Sequence, residues 1–444
     1  MTFLHPPRSD AGLTMSVPPH AIKPEPVPRW TSPRIEALAA DPSVASVSVF
    51  WEEIAERGTP LIEEVGDATC TYTFVVRDLP GSERVALLGN KTVDAHTLHQ
   101  MLFERVDGTD VWWLSIRLGT GWRGGYAIAV QRGDRPAIPT ATAQMLEQRR
   151  ARSLSVTDPR EHGLINDWYD LHYFAAADPF NFEPSRIGGR LPSVAAGPAA
   201  PRAEMLEPST LEGRIVPVAT ATGSRQLWWH IPAGPPPASW DVLVMLDGDR
   251  WLNSCDVLDS WQASGILPST VTLLVGSDEL RGRLRDLSCS PELVSELRTV
   301  LDAAAGGSEA ARLGAPVTSD PARTRIAGQS LGGLTALYAQ CAAPERFGVS
   351  ISQSGSFWWP NAGSADGAEW LTSAIRDSGV HLKSVIIEVG LHEWILLEPT
   401  RRIRDVLAAR CERFSYEEFD GGHDEACWMI SLPRHLRDSV GGSS

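Results

Sequence analysis

From Gly213 onward, short apolar runs alternate with amphipathic stretches. This alternation is typical of a mostly parallel sheet with helices on both faces. The apolar runs predict strands at 225–231, 242–246, 271–275, 324–328, 348–352, 384–389 and 414–419. Three- and four-residue spacing of apolar positions predicts helices at 290–305, 333–342 and 398–410.

The pattern before this region is different, since turn residues separate several short strands. The strands are predicted at 71–76, 84–88, 111–116 and 126–130, and their number and spacing favour a β-sandwich. Helical spacing over 33–57 predicts one helix packed on the sandwich. The chain then divides into a flexible Pro-rich lead-in (1–32), an N-terminal β-sandwich domain (33–189), a linker rich in Pro, Ala and Gly (190–212) and a C-terminal domain (213–440).

Composition and charge exclude several functions. The chain has 444 residues, 43% hydrophobic and 21% charged, as expected for a folded protein of two domains. Its net charge of -15 argues against a nucleic-acid partner, which would need clustered Lys and Arg.

The N-terminus lacks a continuous apolar segment of the kind found in signal peptides, and no stretch is apolar for long enough to span a membrane. We therefore expect a cytoplasmic protein without a membrane partner. Six cysteines without metal-like spacing predict reduced thiols and no metal site.

One pentapeptide has the spacing of a nucleophile elbow. Gly328-Gln-Ser330-Leu-Gly332 lies between a predicted strand and a predicted helix, which is the position of the serine in an α/β-hydrolase. The glycines permit a tight turn, and the helix N-terminus presents backbone N–H groups to a developing oxyanion. We predict an α/β-hydrolase domain with Ser330 as its nucleophile.

A serine hydroxyl needs a base that removes its proton. His423 follows the strand at 414–419, where an α/β-hydrolase places that base. His392 competes with it but falls, in chain order, where the acid is expected. The acid should come between serine and histidine, and Glu393 follows a strand in a turn at the expected edge of the sheet. Three other carboxylates are alternatives, namely Glu388, Asp424 and Asp366.

The oxyanion hole requires a second backbone donor from an earlier loop. Asp247-Gly-Asp249-Arg-Trp follows the strand at 242–246. We expect the N–H groups of Leu331 and Asp249 to be the two donors.

Three longer segments of the chain are informative, and two of them contain Ser330 and His423. They are Gly328-Gln-Ser-Leu-Gly-Gly-Leu-Thr-Ala-Leu-Tyr-Ala, Ser352-Gln-Ser-Gly-Ser-Phe-Trp-Trp-Pro and Asp420-Gly-Gly-His-Asp-Glu-Ala-Cys-Trp. All three strongly resemble the enterochelin (enterobactin) esterases, which are esterase-D-like α/β-hydrolases. Thr109-Asp-Val-Trp, Trp122-Arg-Gly and Asp178-Pro-Phe-Asn resemble that family's N-terminal domain and the loop after it. The resemblance covers about residues 45–435.

This resemblance implies a serine carboxylic-ester hydrolase that cleaves the trilactone of a catecholate siderophore, with or without bound iron, and releases iron in the cell. It also implies that Ser330 and His423 are the family's nucleophile and base. No cofactor is expected, since iron enters only with the substrate. Arg283-Leu-Arg-Asp-Leu resembles the family's Arg-x-x-Glu-Leu element, with Asp286 replacing the glutamate. Gly390-Leu-His-Glu-Trp keeps the glutamate of a family Gly-Ile-Arg-Glu-Pro pattern but changes its neighbours.

A ferric tris-catecholate is anionic, and arginines and flat aromatic rings suit it. The predicted substrate-binding residues are Arg123, Arg250, Arg283, Arg285, Trp358 and Trp359. Two alternatives stay open: another esterase-D-like carboxylesterase or acyltransferase, and a non-catalytic siderophore-binding protein. For the first alternative, the sandwich would be a carbohydrate-binding module.

Overall fold

The computed structural model describes residues 6–7, 25–89, 92–184, 191–204, 212–218, 225–277, 280–361 and 368–440. Most of the predicted lead-in, and the alternative acid Asp366, lie outside these residues.

Two helices precede the sandwich where the sequence predicted one. α1 (Pro33–Ala40) ends before Pro42, and α2 (Val44–Arg57) begins after Ser43, whose side chain accepts a hydrogen bond from the N–H of Ser46. Proline disfavours the helical conformation at the residue before it, so the break falls at Asp41.

The N-terminal domain is a β-sandwich, as predicted. Among the described residues, one sheet has the strand order β1-β2-β5-β4, and the other has β3-β6-β7 with β8 also pairing with β6. Apolar side chains from the inner faces of both sheets, including Phe74 and Ile128, form one buried cluster. The strands are β1 (Leu61–Gly66), β2 (Thr69–Arg77), β3 (Arg84–Gly89), β4 (Glu104–Arg105), β5 (Val111–Gly119), β6 (Arg123–Gln131), β7 (Ala175–Ala176) and β8 (Ser193–Ala196).

Strand β8 lies inside the segment that the sequence predicted as a linker. It pairs antiparallel with the first half of β6, with Ala196 opposite Arg123. Four residues are too few to give a clear periodic pattern, and the strand is defined by its partner. Two helices that the sequence did not predict, α3 (Thr140–Val156) and α4 (His162–Leu171), lie between β6 and β7.

The C-terminal domain is built on one large mixed sheet. Its order over the described residues is β16-β15-β14-β13-β11-β12-β10-β9, parallel from β16 to β12 and antiparallel at β10 and β9. The strands are β9 (Arg214–Pro217), β10 (Leu227–Ile231), β11 (Asp241–Leu246), β12 (Thr270–Val275), β13 (Thr324–Gln329), β14 (Val349–Gln353), β15 (Leu382–Gly390) and β16 (Cys411–Phe419).

Helices cover both faces of this sheet because its strands are apolar on both faces. Val244 belongs to one buried cluster with α7, α9, α10 and α11, whereas Met245 belongs to another with α5 and α12. The helices are α5 (Cys255–Ala263), α6 (Leu280–Asp286), α7 (Pro291–Ala304), α8 (Gly307–Leu313), α9 (Leu331–Ala342), α10 (Trp370–Ser378), α11 (Leu397–Leu407) and α12 (Glu425–Val440). This arrangement confirms the predicted α/β-hydrolase fold.

The parallel strands place their following loops at one edge of the sheet. The loops after β11, β13, β14, β15 and β16 therefore meet there, which is where ligand sites of open α/β sheets lie.

Candidate active site

Ser330 occupies a strained turn between β13 and α9. Its φ of 61° and ψ of -123° are unusual for a residue with a side chain. Gly328 permits this turn, because a Cβ atom there would lie 2.5 Å from the backbone carbon of Gly332. Ser330 N–H donates to the carbonyl of Gln353 at 3.1 Å, which fixes the turn to β14. The hydroxyl is thus held at the start of α9, as in a nucleophile elbow.

His423 and Glu393 form a hydrogen-bonded pair. His423 Nδ1 lies 2.6 Å from Glu393 Oε2, and Glu393 is fully buried. The other carboxylate oxygen of Glu393 accepts hydrogen bonds from Ser354 Oγ at 2.5 Å and from the N–H of Gly390 at 2.8 Å. Three donors therefore offset the cost of burying this charge. The bond to Nδ1 fixes the orientation of the imidazole ring of His423.

The competing residues have other partners. Glu388 lies below the site and bonds to the buried ring of His435 at 2.7 Å. Asp424 accepts the N–H groups of Gly125 and Ala426. His392 Nε2 bonds to Asp420 Oδ1 at 2.9 Å. Among the described carboxylates weighed from the sequence, Glu393 is the one that bonds to His423.

Two supporting residues were missed by the sequence predictions. Trp428 Nε1 donates to Ser354 Oγ at 2.8 Å, and Ser354 in turn donates to Glu393. The ring of Trp428 also packs edge-on against the imidazole of His423, with centroids 4.8 Å apart. Both residues lie in segments that resemble the esterases, but only the structure shows that they fix the His423–Glu393 pair.

The predicted oxyanion donors lie on two neighbouring loops. Leu331 begins α9 and lines the cavity at Ser330. Asp249 lies in a short 3-10 turn, where its carboxylate accepts the N–H of Ser277 at 3.2 Å. Gly248 is needed here, since a Cβ would come within 2.4 Å of the backbone nitrogen of Val275. The two backbone N–H groups remain predicted donors.

A cavity of about 310 Å³ opens over Ser330 and is lined by residues of both domains. The residues that carry polar chemistry or aromatic rings into it are Arg149, Arg152, Ser153, Tyr169, Asp247, Arg250, Arg283, Gln329, Ser330, Ser356, Trp358, His423, Glu425 and Trp428. Four guanidinium groups thus face two carboxylates, so the cavity is electropositive in an acidic protein.

Two of these arginines are held by carboxylates of the cavity wall. Arg283 makes a bidentate pair with Asp247, with both N···O distances 2.7 Å. Although burial works against it, the Arg283 charge and hydrogen bonds hold the pKa of Asp247 below its usual range. Arg250 donates to Glu425 Oε1 at 2.8 Å.

The other two arginines come from α3 of the N-terminal domain. Burial lowers the pKa of Arg149, and the nearby charges of Arg283 and Arg250 add to this effect. Burial and the charge of Arg149 lower the pKa of Arg152 in the same way. A bound anion would therefore stabilise the charges of Arg149 and Arg152, which burial and the neighbouring arginines disfavour.

The predicted substrate-binding residues divide into two groups. Arg250, Arg283 and Trp358 line the cavity. Arg285 lies outside its lining on the exposed side of α6, where it pairs with Asp286 at 2.8 Å. Trp359 is buried and packs against Trp370 with ring centroids 6.1 Å apart. The structure does not bring these two predicted residues to the cavity, because adjacent residues at a turn or on a helix point in different directions.

Arg123 also lies outside the cavity lining. Its guanidinium is buried at the junction of the two domains, where Nε donates to the carbonyl of Ala426 at 2.7 Å and Nη2 pairs with Glu183. The structure therefore does not bring this predicted substrate-binding residue into the cavity.

Arg149, Arg152 and Tyr169 were missed. The signal available in the sequence was the basic run Arg149-Arg-Ala-Arg152 in a strongly acidic chain. Its position over the nucleophile depends on how the two domains pack, which the spacing of residues along the chain does not encode.

One group among the described residues has the composition of a metal site. Ligand atoms of Glu388, Glu417 and His435 lie within 4.8 Å of one another. Glu388 and His435 satisfy each other by a hydrogen bond, so the arrangement is complete without an ion. In the described part of the chain, helices long and apolar enough to cross a bilayer are absent.

Two family models match successive parts of the chain. Residues 71–206 match the model described as "Enterochelin esterase, N-terminal", and residues 311–439 match "Putative esterase". The first match begins within β2 and extends past β8, including α3 and α4, and the second contains Ser330, Glu393 and His423.

Characterised relatives and solved structures agree with these matches. The iron(III) enterobactin esterases of Dickeya dadantii and Escherichia coli K12 are each 29% identical, over 90% and 85% of this chain and 94% and 93% of theirs. The ferric enterobactin esterase structure from Salmonella typhimurium has a TM-score of 0.72 at 25% identity, covering 88% of this chain and 98% of its own. The Shigella flexneri enterobactin esterase, crystallised in the presence of enterobactin, has a TM-score of 0.68 at 26% identity, with 88% and 97% covered. Along both of its domains, the chain is therefore similar to the enterochelin esterases.

Proposed function

We propose that this protein is a serine carboxylic-ester hydrolase that cleaves the ester bonds of a catecholate trilactone siderophore such as enterobactin, in its ferric form, and so releases the iron. One observation carries the proposal. Ser330 and His423, whose ring is bonded to the buried Glu393, line a single cavity with four arginines. The serine, histidine and glutamate suit acyl transfer, and the arginines suit an anionic substrate.

In the proposed reaction, Ser330 Oγ attacks the ester carbonyl carbon and gives its proton to His423 Nε2. Glu393 holds the ring by Nδ1 and stabilises the imidazolium that forms. The N–H groups of Leu331 and Asp249 bind the oxyanion. Collapse of the tetrahedral intermediate breaks the bond to the alcohol oxygen, which takes the proton from His423. Water then attacks the carbonyl carbon of the acyl-enzyme and gives its proton to His423. Collapse of the second tetrahedral intermediate releases the acid, and Ser330 Oγ takes the proton back. Each cycle therefore consumes one water and yields one acid and one alcohol.

The arginines of the cavity support the choice of substrate. A ferric tris-catecholate carries net negative charge, and planar guanidinium groups bind such oxygens by paired hydrogen bonds. Trp358 adds a flat ring on the cavity wall for a catechol. Asp247 and Glu425 already compensate Arg283 and Arg250, so an anionic substrate would add most at Arg149 and Arg152, whose charges are disfavoured by burial.

The proposal requires no cofactor of the protein, because iron takes part only as cargo of the substrate. The siderophore is the proposed partner, and neither a nucleic acid nor a membrane is required. We propose the cytoplasm as the place of the reaction, where reduction can follow ester cleavage. The six free cysteines are consistent with a reducing compartment.

The test is product analysis by chromatography after incubation with ferric and iron-free enterobactin. Wild-type protein should yield linear and monomeric hydrolysis products, whereas Ser330→Ala should yield none. Ser295→Ala, at an exposed position of α7, is the matched control and should behave as wild type.

Two other outcomes would decide for the alternatives. Binding of ferric enterobactin without hydrolysis by wild-type protein would indicate a siderophore-binding protein. Hydrolysis of simple or carbohydrate esters but of neither trilactone would indicate another esterase-D-like activity.

A further inference from the structure

The N-terminal sandwich contacts the loop that carries His423. We define this base loop as residues 420–424, between β16 and α12. The first residue of β6, Arg123, donates its N–H to the carbonyl of Asp420 at 3.0 Å and forms a parallel β-bridge with Gly421. The start of β6 therefore acts as an extra strand beside the base loop.

The side chain of Arg123 extends this contact to the other side of His423. It is 6% exposed, and its Nε donates to the carbonyl of Ala426 in the first turn of α12 at 2.7 Å. A cation beside a helix N-terminus is electrostatically unfavourable. The Glu183 carboxylate, paired with the same guanidinium, and the neighbouring Asp424 offset that effect. The position of the Arg123 side chain is therefore explained by its hydrogen bonds and not by attraction to the helix N-terminus.

A second residue of β6 holds the residue next to His423. Gly125 N–H donates to Asp424 Oδ2 at 2.7 Å, while Asp424 Oδ1 accepts the N–H of Ala426 at 2.8 Å. A Cβ at Gly125 would lie 2.7 Å from that carboxylate, so a larger residue would displace the loop. The thiol of Cys427 completes the contact by donating to the carbonyl of Arg123 at 3.2 Å.

We propose that Arg123 is a positioning residue for His423, and that β6 of the sandwich holds the base loop in its catalytic geometry. The hydrolase domain then depends on the N-terminal domain for chemistry as well as for substrate contact. This inference rests on the proposed function for its kinetic consequences, but the contact itself can be measured separately. It assigns to Arg123 a role different from substrate binding.

The test compares Arg123→Gln and Arg123→Lys with wild type, in the full-length chain, on ferric enterobactin and on the small neutral ester p-nitrophenyl acetate. A base held about 1 Å out of place lowers the rate by about 100-fold. We therefore expect Arg123→Gln to lower kcat about 10- to 100-fold on both esters with little change in KM. Lysine keeps the charge beside Glu183 but loses the planar donor set. The kcat of Arg123→Lys should therefore lie between the values of wild type and Arg123→Gln.

The control is Arg117→Gln in β5, the strand that precedes β6 in the chain. Arg117 bonds to Thr69 Oγ1 within the sandwich. Its replacement should leave kcat unchanged. A loss confined to KM for ferric enterobactin, with normal kcat on the neutral ester, would overturn the positioning role and restore substrate binding.

Hydrogen–deuterium exchange separates this inference from the proposed function. Arg123→Gln should speed exchange in peptides covering 420–427, whereas Arg117→Gln should not. If wild-type protein hydrolyses no ester, the proposed function fails, yet faster exchange would still support the contact. Unchanged exchange at 420–427 in the Arg123 variants would refute it, whatever the activity.

Discussion

His423 Nδ1 lies 2.6 Å from the carboxylate of Glu393, and that carboxylate is fully buried. The pair forms because β15 and β16 are neighbours in the sheet, with Gly390 opposite Phe419. The loops that follow these two strands are therefore adjacent, although 30 residues separate Glu393 from His423.

Replacing Glu393 by glutamine should abolish most of the activity. The amide cannot stabilise the imidazolium and favours the wrong ring tautomer, so we expect kcat to fall by about 10³- to 10⁴-fold. Steady-state kinetics on ferric enterobactin will measure this.

Glu388→Gln is the matched control for this prediction. Glu388 is equally buried but bonds to His435, Gln353 and Ser431 rather than to His423. Its replacement should lower stability more than kcat. If Glu388→Gln impairs kcat as much as Glu393→Gln does, our assignment of the acid is wrong.

Arg149 and Arg152 should contribute to binding of the anionic substrate. Each charged hydrogen bond contributes about 1.5–3 kcal/mol, so the double replacement by glutamine should raise KM for ferric enterobactin by at least about 10-fold. KM for p-nitrophenyl acetate should not change. Arg160→Gln, at an arginine paired with Asp158 on the surface, is the control. Equal effects on both esters would show that α3 acts on folding and not on substrate charge.

The residues of the candidate site differ in how far the sequence predicts them. Ser330 and His423 can be predicted from the sequence because a nucleophile elbow and its base have local signatures, namely glycines at fixed spacing and a loop after the last strand. Glu393 required the order of strands as well. The fold followed from the same apolar runs, since each buried strand of a parallel sheet is nearly continuous in hydrophobic residues.

Arg149 and Arg152 could not be placed from the sequence. Their helix α3 buries only Leu146 among its described side chains, so it lacks the apolar stripe that identifies a packed helix. Its position depends on the docking of the two domains. The location of Trp358 and Trp359 could be predicted from the sequence, but the direction of each ring could not.

The two tryptophans should therefore behave differently. Trp358→Ala should raise KM for ferric enterobactin more than for p-nitrophenyl acetate, because its ring lines the cavity. Trp359 packs against Trp370 in the core, and Trp359→Ala should lower the free energy of unfolding by about 3–5 kcal/mol. Urea denaturation and kinetics of both variants will distinguish the roles. A selective KM effect of Trp359→Ala in folded protein would contradict this assignment.

Asp424 makes the junction sensitive to pH. Burial raises the pKa of its carboxyl to about 6, and the neighbouring Glu425 adds to the shift, whereas the N–H groups of Ala426 and Gly125 oppose it. The carboxyl of an aspartate in an unfolded chain has a pKa of about 3.9. The folded protein thus binds this proton more tightly than the unfolded chain. The stabilisation is complete below about pH 4 and is lost as pH rises through about 6.

Asp424→Asn removes this titration, so its stability relative to wild type should depend on pH. At pH 7.5 wild type bears the cost of a buried carboxylate, whereas at pH 5.0 the folded form is largely protonated. The free energy of unfolding of wild type, measured against Asp424→Asn by urea denaturation, should therefore increase by about 1 kcal/mol from pH 7.5 to pH 5.0. Other carboxyl groups titrate in both proteins and cancel in the difference. A difference that is constant with pH would show that the carboxyl of Asp424 ionises as easily in the folded protein as in the unfolded chain, and one that grows with rising pH would show that it ionises more easily in the folded protein.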